Sequence, residues 1–205
     1  MFYETARRDH GLPHDPFKAI VAPRPIGWIS SISASGAVNL APYSFFNAVG
    51  GRPEQVMFSS ETEKDSVANI RETGEFVANH VSAELAEAMN RTSVPAPHGV
   101  DEFEYAGIEK APCRLVRPPR VALAHAALEC RVTTILNLRD LDGRETGAIV
   151  VIGQVVGVHI DDAVLRDGIF DVTLARPVTR LGYMDFGGPD GYFSMIRPKW
   201  TGEDS

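Results

Sequence analysis

Short runs of β-branched and aromatic residues, separated by turn-forming residues, recur along this chain of 205 residues. Such a pattern predicts a protein built mainly from strands. The first two runs, 26–32 and 38–40, flank Ser35 and Gly36, whose backbone chemistry favours a tight hairpin turn. The aromatic stretch 43–49 is expected to continue the second strand. The sequence therefore predicts a hairpin whose second arm becomes polar at its end.

Two longer strands are expected in the second half of the chain. Residues 128–138 and 148–160 are rich in β-branched side chains, and the turn-forming stretch 140–144 joins them. Apolar runs at 55–60 and 76–81 predict two shorter strands. Predicted strands are thus distributed along most of the sequence.

The predicted helices are short. One is expected to begin at Asp65, a favoured N-cap residue, and to end at Gly74, where a C-cap glycine belongs. Ser82 is expected to cap a second helix. The segment 99–105 lies within a stretch rich in proline, glycine and charge, and is expected to form either an ordered lid or a dimer contact.

The fold class follows from the ratio of strands to helices. About six or seven strands with only two or three short helices do not give the alternation of a βαβ fold. They favour a closed antiparallel barrel with small helical insertions. The length is that of a single domain, 1–205, with an N-terminal arm at 1–16 and an irregular tail at 186–205.

Composition narrows the partners and the location. The formal net charge of −7 argues against nucleic acid or an anionic membrane as the main partner, because both require a basic surface. The residues after Met1 are polar and charged, and no apolar run approaches the roughly 18 residues of a membrane span. The expected location is the cytoplasm. Cys113 and Cys130 lack CxxC spacing and are expected to be small buried or half-buried residues.

Several common catalytic motifs are absent from the sequence. It contains no P-loop, no GxGxxG dinucleotide fingerprint and no GxSxG nucleophile elbow. The six histidines show neither HxxxH nor HExxH spacing, so no metal site is predicted.

Nine segments, in a fixed order along the chain, carry a family resemblance. They are 23–28, 39–49, 56–60, 64–66, 69–77, 99–103, 128–130, 151–155 and 180–183. With these motifs the chain resembles the flavin reductase-like, FMN-binding split-barrel proteins, and specifically their flavoredoxin-like branch. The resemblance implies a closed antiparallel Greek-key split β-barrel with a few short helices. It further implies a homodimer with one FMN near each subunit contact, and NADH or NADPH as a frequent electron donor.

A phosphate site for FMN is expected where a strand ends and a helix begins. A phosphate requires hydroxyls, backbone N–H groups and a cation, and a helix N-terminus adds partial positive charge. Ser59 and Ser60, followed by Lys64, Asp65 and Ser66, supply such groups. The two earlier serines are also compatible with turn hydrogen bonds, and Asp65 with a helix cap.

The flavin ring is expected to meet the hairpin of residues 22–49. Candidate ring contacts are the aromatic side chains and hydrogen-bonding groups of this stretch, together with one cation near the ring or the phosphate: Trp28, Ser44, Phe45, Phe46, Asn47 and Arg24. Trp28 and Phe45 are equally compatible with a barrel core.

Two residues of the second half carry expectations of their own. His125 lies in an apolar run and is expected to be a satisfied core histidine or, alternatively, to face the flavin edge. Glu129, between Leu128 and Cys130, needs a partner if it is buried.

These observations predict an FMN-binding oxidoreductase that uses NADH or NADPH. No catalytic side chain is assigned, because the flavin performs the redox chemistry while the protein binds and orients it. Two alternatives remain open: a flavoredoxin-type electron carrier, and a flavin-binding protein without turnover.

Overall fold

The computed structural model describes residues 1–189, and the elements below belong to that part of the chain. The strands are β1 (Arg24–Pro25), β2 (Gly27–Ile32), β3 (Val38–Tyr43), β4 (Phe46–Gly51), β5 (Glu54–Ser60), β6 (Glu75–Asn79), β7 (Lys110–Ala111), β8 (Arg120–Val121), β9 (Ala126–Arg139), β10 (Glu145–Ile160), β11 (Leu165–Arg166), β12 (Ile169–Phe170), β13 (Thr179–Arg180) and β14 (Phe186–Gly187). The α-helices are α1 (Phe17–Ile20), α2 (Asp65–Thr73), α3 (Ala86–Arg91), α4 (Glu102–Ala106) and α5 (Val172–Ala175). Short 3-10 helices cover Ala83–Leu85 and Asp162–Val164. None of the helices found in residues 1–189 combines the length and apolar character needed to cross a membrane.

The main sheet has seven strands in the order β3-β2-β6-β9-β10-β5-β4, and its paired neighbours are antiparallel. β3 and β4 form its two edges, although only Ser44 and Phe45 separate them in sequence. They are successive arms of one extended stretch, which changes its partner from β2 to β5 at a bend. Such a bend makes a corner of a folded sheet. The chain itself therefore brings the two edges together at this corner.

The corner corrects two expectations. Residues 43–49 do not continue one strand, because the pairing is interrupted at Ser44 and Phe45. Within residues 1–189 no backbone ladder joins β3 to β4, so the expected closed barrel is curled but split between its edges. The mainly β, antiparallel architecture is confirmed, as is the long hairpin of β9 and β10.

Helix starts differ from the expected ones. Lys64, with extended backbone, occupies the N-cap position of α2, and Asp65 is its first helical residue. Ser82 precedes a 3-10 helix rather than an α-helix and makes no side-chain capping bond. Gly74 ends α2 at a φ of 70°, a left-handed conformation that favours glycine, as expected.

The ends of the described chain also refine the expected boundaries. Residues 1–16 contain neither helix nor strand. The expected irregular tail begins with a short strand, since Phe186 and Gly187 pair with β13. Residues 190–205 of that tail lie outside the described residues.

The described chain contains three hydrophobic clusters, and β2 contributes to the two larger ones. Ile29 joins Phe58 and Phe76 in a cluster that also receives α2, whereas Trp28 joins Leu40 in a cluster beneath α3 and α4. Adjacent strand residues point to opposite faces. Both faces of β2 are therefore buried, including Ser30 and Ser31, and each large apolar side chain contributes about 1.5–3 kcal/mol of burial free energy.

Glu129 anchors a loop onto β9. Its side chain is 1% exposed, and its carboxylate accepts the backbone N–H groups of Arg114 at 2.8 Å, Leu115 at 2.6 Å and Val116 at 3.1 Å. The ring Nε2 of His159 donates to it as well. Burial alone would raise the pKa of Glu129, but these hydrogen bonds outweigh burial and lower it. The expected need for a partner is confirmed.

We expect Glu129→Gln to lower the free energy of unfolding by roughly 2–4 kcal/mol at pH 7, because the amide cannot accept all of these bonds. A carboxyl with a lowered folded pKa stabilises above its unfolded pKa and loses that contribution as the pH falls through the folded value. Denaturant melts from pH 7 downward should therefore show the difference between the proteins shrinking below about pH 4.

The matched control is Glu145→Gln on β10. Glu145 is about half exposed and pairs only with Arg139 across the hairpin. Its loss should change stability by less than about 1 kcal/mol. Equal effects of the two substitutions would contradict the anchoring role of Glu129.

Candidate functional site

A cavity of about 410 Å³ opens where β3 and β4 part and α2 begins; we call it the β3–α2 cavity. Its lining combines hydroxyls, cations, acids and a short apolar wall. The lining residues that matter below are Lys18, Asn39, Pro42, Tyr43, Ser44, Phe45, Ser59, Glu61, Lys64, Asp65, Ser66, Thr92, Ser93, Val94, Pro95, Ala96 and Glu102.

The N-terminus of α2 faces this cavity without a side-chain cap. Lys64 at the N-cap makes no side-chain capping bond, so the first N–H groups of the nine-residue helix remain available. Ser59, at the end of β5, and Ser66, in the first turn of α2, also line the cavity. The helix end, two hydroxyls and the Lys64 ammonium together favour an anion with several oxygen acceptors.

Two acidic residues of the cavity, Glu61 and Asp65, already have hydrogen-bond partners. Glu61 pairs with Lys18 at 2.8 Å, and this hydrogen bond lowers the pKa of Glu61. Asp65 accepts the Gly99 N–H at 3.2 Å and pairs with the His98 ring at 2.8 Å. An anion entering beside α2 therefore meets carboxylates that already have partners.

Glu102 is the third acid of the cavity, and it is buried. Its carboxylate accepts the backbone N–H of Leu40 at 2.9 Å. Burial nevertheless raises the pKa of Glu102, with Asp65 and Asp101 adding to the effect. The carboxyl group thereby ties α4 to β3 and takes up a proton more readily than an exposed glutamate.

The cavity lining also includes apolar side chains and one buried polar atom without a hydrogen-bond partner in the described chain. Pro42, Phe45, Val94 and Pro95 all line the cavity, and Lys18 Nζ lies 5.5 Å from the Phe45 ring centroid. The Tyr43 hydroxyl is buried near Ser60 and Ser66 but makes no hydrogen bond of good geometry within the described chain. Burial raises the pKa of Tyr43.

The loop from Thr92 to Ala96 is held in place by Trp28. The Trp28 side chain is 0% exposed, and its Nε1 donates to Thr92 Oγ1 at 2.9 Å. The same hydroxyl donates to the Met89 carbonyl at 2.7 Å. Thr92 lines the cavity, so Trp28 acts on the cavity through Thr92 rather than by offering its own ring.

The structure brings six of the eleven predicted site residues together at the β3–α2 cavity. They are Ser44, Phe45, Ser59, Lys64, Asp65 and Ser66. Of the other five, Trp28 is in the core and Phe46 packs so closely on Gly27 that a Cβ there would lie 2.4 Å from its ring. Asn47 is exposed and binds its neighbour's N–H, while Ser60 is buried and donates to the Thr62 carbonyl at 2.7 Å.

Arg24, the fifth, is a clamp between two ends of the chain. Its guanidinium is buried and donates to the carbonyls of Lys18 and Val21 on one side, and to Leu181 at 2.8 Å on the other. Burial lowers the pKa of Arg24. Arg24 therefore fixes the segment that carries Lys18 and does not line the cavity.

Sequence reasoning missed several residues of the cavity. Asn39 and Glu102 fall inside the resembling segments 39–49 and 99–103, which was a usable signal. Thr92 and Ser93 lie in a stretch that reads only as loop. Lys18 also lines the cavity, and its backbone carbonyl accepts a hydrogen bond from the Arg24 side chain. No local sequence pattern indicates this contact.

A second cavity, of about 680 Å³, lies beside the ends of β9 and β10 and shares no lining residue with the first. We call it the β9–β10 cavity; its lining includes Arg114, Leu115, Arg120, Leu123, His125, Glu129, Val158, His159 and Asp161. His125 pairs with Asp161 at 3.1 Å, which is the satisfied histidine expected, although it is half-buried.

One cluster near this second cavity has the residue types of a metal site. Cys113, Glu129 and His159 place ligand atoms within 4.8 Å of one another. However, Glu129 already accepts three N–H groups and the His159 ring, and burial raises the pKa of Cys113 to about 12. The cluster is therefore a hydrogen-bonded anchor rather than a set of free ligands.

Comparison with known proteins connects this geometry to a family. Residues 21–179 match the flavin reductase like domain. A relative in Halalkalibacterium halodurans, an uncharacterized protein, is 36% identical over 183 residues, which cover 87% of this chain and 87% of the relative.

Solved structures share the fold. Nitrilotriacetate monooxygenase component B from Bacillus cereus superimposes with a TM-score of 0.85 at 24% identity, covering 95% of this chain and 98% of that one. Flavoredoxin of Desulfovibrio vulgaris (Miyazaki F) gives a TM-score of 0.75 at 18% identity, covering 89% and 94%. At these identities the likeness concerns the fold alone. The family match and the curated relative together show that this chain belongs to the flavin reductase-like domain family.

Proposed function

We propose that this chain is an FMN-binding oxidoreductase that takes electrons from NADH or NADPH. The observation that carries the proposal is the N-terminus of α2, which has no side-chain cap and lies with Ser59, Lys64 and Ser66 at a cavity that apolar residues also line. A flavin mononucleotide has the same division, with a dianionic phosphate at one end and a flat, largely apolar ring at the other.

The residues fit the phosphate of FMN on independent grounds. Phosphates bind readily where helix N–H groups point outward, and the helix dipole favours negative charge there. The orphaned hydroxyl of Tyr43 adds a donor beside Ser66. Lys64 supplies the cation, while Glu61 and Asp65 are held by other partners.

The apolar wall would hold the ring. Pro42, Phe45, Val94 and Pro95 line the cavity and would give the ring apolar contact. Ser44 and Ser93 supply hydrogen bonds at the edge. Bound FMN would supply the redox centre, accepting electrons from the nicotinamide and passing them on. The chain's own side chains bind and orient, and none is assigned a catalytic proton transfer.

We also propose that the protein is a homodimer and that it passes electrons from NADH or NADPH to an acceptor. One relative in fold is a monooxygenase component and another is a flavoredoxin, so the electron acceptor is either a small molecule or a second protein. The described chain has no separate dinucleotide-binding domain, and NADH or NADPH would reach the flavin from the open side of the cavity.

Anaerobic mixing tests the function directly. The purified protein should be yellow, and NADH or NADPH should bleach the flavin absorbance rapidly. Steady reduction of added free flavin would then identify a reductase, whereas a yellow protein that neither nucleotide bleaches would be an electron carrier or a binding protein. A colourless protein that free FMN does not protect against heat contradicts flavin binding.

The phosphate site predicts a specific loss of affinity. Ser59→Ala combined with Lys64→Ala should raise the Kd for FMN at least about tenfold, because each charge-assisted hydrogen bond contributes roughly 1.5–3 kcal/mol. Fluorescence titration of FMN measures this. The matched control, Ser35→Ala with Arg144→Ala, removes an exposed hydroxyl and an exposed cation outside the cavity and should leave the Kd unchanged. An unchanged Kd in the cavity variant would refute the phosphate assignment.

Trp28 and Thr92 should act as a coupled pair. Trp28→Phe and Thr92→Val should each lower the free energy of unfolding by about 1–3 kcal/mol, because each leaves a buried partner without its hydrogen bond. The double variant should cost less than the sum. Both single variants should also weaken FMN binding by loosening the 92–96 loop.

Two outcomes would contradict this positioning role. Additive stability effects would show that the hydrogen bond between Trp28 and Thr92 has no energetic weight. A loss of FMN affinity in Trp28→Phe that Thr92→Val does not share would instead indicate direct contact between the indole and the flavin.

A further inference from the structure

The β9–β10 cavity has a composition that the proposed flavin function does not use. Leu115, Leu123 and Val158 line it while remaining 50%, 71% and 57% exposed. Exposed large apolar side chains grouped beside a cavity are typical of a surface that binds a ligand or another molecule. At about 680 Å³ the cavity is in the size range of small-molecule sites.

The acids of this cavity already have hydrogen-bond partners. Glu129 accepts three backbone N–H groups and pairs with His159. Asp161 pairs with His125 and accepts the Ala163 N–H at 3.0 Å. Neither carboxylate forms a salt bridge with Arg114 or Arg120 within residues 1–189.

The two arginines of the cavity, by contrast, lack an acidic partner. Among residues 1–189, neither Arg114 nor Arg120 forms a salt bridge with an aspartate or glutamate. The Arg120 Nε is buried and has no hydrogen-bond acceptor within the described chain, while its Nη1 reaches only the Ala122 carbonyl at 3.4 Å. Arg120 therefore keeps hydrogen-bonding capacity that the described chain leaves unused, and a guanidinium favours anionic acceptors.

From these contacts we infer that the β9–β10 cavity binds a small organic carboxylate. Its anionic head lies between Arg114 and Arg120, and its apolar body lies against Leu115, Leu123 and Val158. A guanidinium matches a carboxylate with parallel hydrogen bonds, so the head group is planar and carries at least two oxygen atoms. Because no residue lines both cavities, this site is separate from the one that we propose for FMN.

Calorimetric titration with benzoate, in the presence of excess FMN, tests the site. Benzoate has the required head and body, and benzamide is its neutral counterpart. Benzoate should bind saturably and benzamide at least tenfold more weakly. Arg120→Gln should raise the Kd for benzoate at least tenfold, and Arg114→Gln, at an exposed position, should weaken it in a protein whose fold is not at risk.

The control is Arg117→Gln, which removes an arginine from the same loop that pairs with Glu75 and does not line the cavity. Its benzoate affinity should equal that of the unaltered protein, as should that of Ser59→Ala with Lys64→Ala. The proposal is overturned if benzoate shows no saturation, as it would if a second copy of the chain covered the cavity. It is also overturned if benzamide binds equally, if FMN competes with benzoate, or if Arg117→Gln weakens binding as much as the cavity variants do.

Discussion

The bend at Ser44 and Phe45 is the constraint on which the rest of the molecule depends. It makes β3 and β4 the opposite edges of one curled sheet, although two residues separate them in sequence. Within residues 1–189 no ladder joins the two edges, so the sheet stays split beside this corner, and α2 packs against β2 and β3 next to it. The β3–α2 cavity lies at this split, beside the bend and the start of α2. The order of the strands in the sheet therefore determines where the cavity forms.

Some polar groups of the protein hold its structure together, whereas others are available to a ligand. Arg24, Glu129 and Trp28 are buried, and each holds a loop or chain end through backbone or side-chain hydrogen bonds. Within the described part of the chain, the N-terminus of α2 has no side-chain cap and Lys64 forms no salt bridge. A buried polar group without a hydrogen-bond partner destabilises the folded state, which explains why the buried Arg24 and Glu129 have several partners. The groups that remain available are the ones a ligand can use.

The sequence was sufficient for the strands, the C-cap of α2 and the family, because these depend on local patterns or on motifs in a fixed order. It also indicated that Ser59, Lys64 and Ser66 lie together, because they are close in sequence, and all three line the β3–α2 cavity. That they bind a phosphate stays a prediction. The sequence failed where tertiary contacts decide. Arg24 and Trp28 are residue types that often bind ligands, but both side chains are buried. Arg24 donates to a carbonyl 157 positions away, and Trp28 to a hydroxyl 64 positions away. No local sequence pattern indicates such distant partners.

We propose above that the FMN phosphate binds at the open N-terminus of α2, and a crystal structure of the protein with FMN would test this. We expect the phosphate oxygens within hydrogen-bond distance of the first N–H groups of α2 and of the Ser59 hydroxyl, with the ring against Phe45. A flavin whose phosphate lies elsewhere, for instance between Arg114 and Arg120, would contradict it.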